Sequence, residues 1–125
     1  MEIVALVALV AQLIIAVGIF NVWILRFDRS SGYRPGTAGN MKEEFSSYGL
    51  PPWLVYFVGG LKLLCATLLL VGIWIPELVR PAAACMAVLM SGAVLMHLKV
   101  KDPLKKAMPA SFMLALSLLV AAIAS

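Results

Sequence analysis

Residues 3–25, IVALVALVAQLIIAVGIFNVWIL, run without one charged side chain. About 20 apolar residues in a helix cross the hydrocarbon core of a bilayer. A helix that is hydrophobic on every side is either buried in a large protein or faces lipid. A chain of 125 residues with 63% hydrophobic and 13% charged residues has too little interior to hide that surface. Soluble domains lie nearer about 45–50% apolar and about 25% charged. The sequence therefore predicts an integral membrane protein, all-α, forming a single transmembrane domain over 1–125.

Three more apolar runs follow, at about 53–75, 79–98 and 107–124. The first run is too long for a signal-peptide core, carries Glu2 where lysine or arginine would stand, and is read as a retained helix. Pro51 and Pro52 precede the second run, where proline suits a helix start. IPELVRP (75–81) reads as a tight turn and KVKDPLKK (99–106) as a polar loop, with Pro109 expected in the first turn of the last helix. Loops 26–52 and 99–106 together hold eight lysines and arginines, against Arg80 alone on the other side. The positive-inside rule then makes both loops cytoplasmic and puts both termini outside, in a bacterial-type inner membrane.

Within the first loop, DRSSGYRPGTAG (28–39) is irregular by composition. Asn40 with Glu43 three residues on has the form of a capping box, and Gly49 before Pro51 is a stop. A short interfacial helix over 41–48 is expected, with Met41, Phe45 and Tyr48 toward lipid or bundle and Lys42 and Glu44 toward water.

The second apolar run, VYFVGGLKLLCATLLLVG, contains Lys62. Its backbone would lie roughly 14 Å from the basic face at 1.5 Å per residue. A lysine at mid-span carries an insertion penalty of about 2.5–3.5 kcal/mol, and such residues usually face the bundle interior, paired or lining a pocket. Helix side chains lean toward the N-terminus, so Lys62 would snorkel back toward the basic face. Gly59, one turn earlier, would leave room for its stem, and Asn21 is the nearest candidate partner. Two readings stay open: a snorkelling lysine held by Asn21, carbonyls or lipid phosphate, or a ligand-binding or proton-handling one.

Gln12, near mid-membrane, reads first as an interhelical hydrogen-bond link and second as a ligand contact. His97, the only histidine, ends the third span and suits interface anchoring or contact with a lipid or quinone headgroup; a metal site needs several ligands. Cys65 and Cys85 read as small buried hydrophobes, with a redox pair as the alternative. Trp23, Trp53 and Trp74 fall at span ends, as an aromatic belt would. Ala83, Ala87 and Ser91 form a small-residue series, and Ser111 with Ala115 and Ser117 with Ala121 repeat it; these faces suit a tight bundle or contacts with a second protein. The sequence has no phosphate-binding glycine loop, no Cys/His metal cluster, no paired transmembrane histidines for haem and no credible Ser/His/Asp set.

EFSSYGLPPWLVYFVGGLKLLCATLLLVGIW, followed by RPAAACMAVLMSGAVLMHLKVKDPLKKAMPA, resembles the DoxX-like membrane proteins over roughly residues 40–120. The resemblance rests on Gly59-Gly60-Leu61-Lys62-Leu63 and on Gly92-Ala93 through His97, followed by Asp102 and Pro109. It implies a four-helix membrane bundle and a loose tie to quinone-linked respiratory chemistry. Fold analogy alone does not assign a function. The first expectation is an accessory or structural subunit without catalysis, in a homo-oligomer or a larger membrane complex. Such a subunit would bind a lipid or quinone headgroup near Lys62, Asn21 and His97, take membrane lipid as a partner, and have no nucleic-acid role. A quinone-coupled oxidoreductase subunit is the alternative, and a small transporter acting as an oligomer the weaker one.

Overall fold

The computed structural model describes residues 2–124, and every regular element among them is helical. Helix α1 (Ile3–Phe20) widens into a π-turn over Asn21–Leu25, and α2 (Met41–Ser47) lies in the first long loop. Helix α3 (Pro52–Val71) is followed by a single 3-10 turn (Pro76–Leu78), α4 (Val79–Lys99) and α5 (Leu104–Ile123). Four helices, counting α1 with its π-turn and α4 with its 3-10 turn, are long and apolar enough to cross a membrane. Twenty residues rise about 30 Å, which matches the hydrocarbon thickness.

The four long helices form a ring. α1 packs beside α3 and α5, α4 packs beside the same two, and the α4–α5 contact is the most extensive. Ala16, Ala66 and Ala83 are fully buried, so backbones approach closely where these residues meet. Ile15, Leu69, Met86 and Val120 fill the remaining space. The Ala83–Ala87 face is used inside the chain, since both residues are buried. Gln12 Nε2 donates to the Leu69 carbonyl at 2.9 Å, tying α1 to α3 as an interhelical link.

Two boundaries differ from the sequence reading. α3 ends at Val71 rather than 75, because the backbone turns at Gly72. A Cβ there would lie 2.5 Å from Val79 Cγ2, so glycine lets the start of α4 come close. α5 begins at Leu104, which places Pro109 in its second turn, inside the helix. Proline has no N–H, so the Lys105 carbonyl loses its helical donor there.

The short loop helix forms as its signals predict. Glu43 N donates to Asn40 Oδ1 at 2.9 Å and Asn40 Nδ2 to Glu43 Oε2 at 3.3 Å. Gly49, at φ 77°, ends it in a Schellman arrangement, with Gly49 N bonded to Ser46 O and Leu50 N to Phe45 O. Lys99 Nζ donates to Tyr48 O at 3.0 Å, pinning α2 to the end of α4.

Candidate functional site

At the basic end the helices enclose a cavity of about 880 Å³, roofed by α2 and by loop residues 31–34. Its floor and sides are apolar: Ile19, Val58, Met90, Met96 and Met113 are among them. Ligand pockets typically run about 300–1,000 Å³ with apolar walls and a few placed polar groups. Here the placed polar group is Lys62. Its side chain is 7% exposed and lines the cavity. Among the described residues Nζ has no hydrogen-bond partner; it sits 5.3 Å from the centre of the Trp23 ring. A cation over an indole face gains about 0.5–2 kcal/mol, less than a full set of hydrogen bonds would supply.

Trp23 reaches that position because α1 widens. Arg26 N bonds to Asn21 O, five residues back, and the broad turn brings Asn21, Val22 and Trp23 onto the cavity wall. The indole packs edge-on to Phe45 at 5.9 Å and tilted against Phe27 at 6.1 Å. It also explains Gly59, where an added Cβ would lie 2.6 Å from the ring.

The wall nearer the surface is a line of mutually bonded polar groups. Arg34 is buried and donates to Arg29 O at 2.9 Å, to Arg26 O at 2.6 Å and to Glu44 Oε1 at 3.0 Å. Glu44 Oε2 lies 3.4 Å from the Tyr48 hydroxyl. That hydroxyl lies 3.2 Å from His97 Nε2, and His97 Nδ1 lies 2.7 Å from Asp102 Oδ2. Asp102 as a carboxylate can only accept, which assigns the Nδ1 proton to the imidazole. Tyr48 has one hydroxyl proton, so it can donate to Nε2 or to Glu44 Oε2 but not to both at once. Burial, and next the Glu44 and Asp102 carboxylates, hold the Tyr48 phenol above its ordinary pKa, so it stays a neutral donor.

The structure brings Lys62, Asn21 and His97 together on one cavity. Gln12 lies away from it, bonded to Leu69. Gly59 makes room for Trp23 and not for the lysine stem, and no Lys62–Asn21 hydrogen bond forms among the described residues. Trp23 belongs to no belt: it is 6% exposed, whereas Trp53 and Trp74 are 64% and 78% exposed. Glu44 turns to Arg34 and the cavity, not to water, because α2 packs its other face on the bundle. Sequence reasoning missed Arg34, Tyr48, Glu44 and Asp102 as one network. The loop arginine gave no periodic signal.

Cys65 is buried and Cys85 half-buried, and both are free thiols. Among the described residues no group of three or more His, Cys, Asp or Glu side chains is placed to hold a metal ion. A family model described as the DoxX-like family matches residues 30–121. No curated protein and no solved structure matches the chain.

Proposed function

The chain belongs to the DoxX-like family and is a multi-pass membrane protein; on that premise we propose that it is an accessory bundle that holds the polar head of a membrane amphiphile, a lipid or a quinone, beside Lys62. The observation that carries this reading is the 880 Å³ cavity, apolar in its depth, with the ammonium of the buried residue Lys62 open to it and without a hydrogen-bond partner among the described residues. A bilayer-soluble molecule can leave its tail along Met90 and Met113 and bring oxygen atoms to Nζ. Binding is favoured over catalysis because much of the polar wall is bonded to itself, from Arg34 through Glu44 and Tyr48 to His97 and Asp102. The bundle would serve as a subunit in a homo-oligomer or a larger membrane assembly.

One observation favours a second reading, a quinone-coupled oxidoreductase subunit. The Tyr48–His97–Asp102 line is built of groups able to relay a proton from the loop to the cavity. Purification in a mild non-ionic detergent, with mass spectrometry of everything retained, tests both. The first reading expects one amphiphile in near-stoichiometric amount, lost in Lys62→Met while insertion persists. A protein that carries nothing, or a Lys62→Met variant that keeps its passenger, would contradict it. Co-purified quinone with reducible absorbance would shift the choice to the second.

A further inference from the structure

Resting on the binding reading above, we infer that the molecule seated in the cavity has an anionic head, a carboxylate or a phosphate, rather than a neutral carbonyl. The charge census of the walls carries this. Arg26, Arg34, Lys62 and Lys106 line the cavity as cations, and Glu44 is the one carboxylate among the lining residues. Glu44 is already taken up: one oxygen faces Arg34 at 3.0 Å and the other the Tyr48 hydroxyl at 3.4 Å. Asp102 stands behind His97 and is held by it at 2.7 Å. Arg34 is held by Glu44 and by the carbonyls of Arg26 and Arg29. Lys106 Nζ reaches the Gly36 carbonyl at 3.3 Å. What remains is Arg26, exposed at the mouth, and Lys62, buried farther in, with three donor hydrogens, an indole face on one side and open space on the other.

An ammonium on an apolar wall that makes no hydrogen bond to the protein is disfavoured, and the low local dielectric magnifies whatever satisfies it. A neutral carbonyl supplies an acceptor and leaves the positive charge uncompensated. An anionic oxygen supplies both, and charge-assisted hydrogen bonds are roughly twice as strong as neutral ones. The basic residues at the mouth add a field that draws anions toward the opening. Fatty carboxylates and phospholipids share this head chemistry and differ in the number of tails.

The test uses matched pairs that differ only in the charge of the head. Oleate is compared with oleyl alcohol, and dioleoyl phosphatidic acid with dioleoylglycerol. Each is titrated in neutral detergent into full-length protein carrying Trp53→Phe and Trp74→Phe, so that the emission reports Trp23 alone. The charged member of at least one pair should bind about tenfold more tightly or better, as expected for a hydrogen bond to a charged group. The preference should vanish in Lys62→Met and persist in Lys62→Arg. A preference in the oleate pair alone identifies a single-tailed ligand, and one in the phosphatidic acid pair alone a two-tailed ligand; either supports the inference. Equal affinity within both pairs, or a preference unchanged in Lys62→Met, would overturn the anionic head while leaving amphiphile binding intact. Binding of none of the four would overturn both. Because the paired comparison on the Lys62-containing protein decides by itself, a Lys62→Met variant that failed to fold would not rescue the inference.

Discussion

Where α4 begins, Arg80 reaches across to the carbonyl oxygens of Ala121 and Ala124 at the end of α5, and Val79 fits against Gly72. At the opposite end the same helices stand around about 880 Å³ of space, with Arg34, Lys62 and His97 buried in its walls. The first region follows what lipid demands of a bundle: small residues at contacts, and a cation closing the last carbonyls of a helix. The second departs from it by leaving volume unfilled and charge uncompensated. Close packing is the rule in protein interiors, and ionisable side chains inside a membrane mark functional sites. One end therefore holds the fold, and the other, on the function proposed above, is organised around a bound molecule.

That contrast can be broken at the tryptophans. Trp23→Ala should lower stability by about 3–5 kcal/mol, the range for deleting a large buried aromatic. Trp53→Ala, at an exposed position, should change it by no more than about 0.5 kcal/mol. Thermal unfolding in detergent would show this, and equal shifts would mean that Trp23 is not the platform under Lys62. The contrast sharpens with aliphatic truncations. Leu69→Ala, in the closed core, is expected to remove about 2–5 kcal/mol. Val58→Ala opens a cavity already present, and should cost less stability than Leu69→Ala while weakening retention of the passenger. Gln12→Leu breaks the link to Leu69 and should remove about 0.6–2 kcal/mol, with passenger retention unaffected. The smallest effect concerns pH. The Tyr48 phenol is raised by burial, so the folded state keeps its proton where the unfolded state begins to lose it, near 10.0. Its contribution is present below that value and fades as pH rises beyond it. Melting temperatures from pH 9 to 11 should fall more steeply for the natural protein than for Tyr48→Phe; parallel curves would remove Tyr48 from the buried network.

Much of the scaffold was legible in the sequence because it rests on local rules. Apolar length marked four spans, proline and glycine marked their ends, and Asn40 with Glu43 marked α2. Lys62 announced itself by its cost in an apolar run. The network around it did not: Arg34 comes from an irregular loop, Glu44 from a helix whose pattern suggested water, Asp102 from a charged turn, and the Tyr48–His97 link joins residues far apart in the chain. Trp23 was misassigned since a span-end tryptophan looks the same in sequence whether it faces lipid or a widened turn carries it inward. Gly59 was tied to the neighbour on its own helix when its true neighbour lies across the bundle. Side-chain partners separated by tens of residues are set by packing, which single-chain periodicity does not encode.

The central claim is that the Lys62 ammonium is completed by a bound molecule and not by the protein. An experimental structure of the protein in lipid nanodiscs tests it most directly. Elongated density should run past Met90 and Met113 and end about 3 Å from Nζ, at hydrogen-bond distance. A cavity without such density, or a Lys62 turned to bond with Asn21 or Glu44, would contradict it.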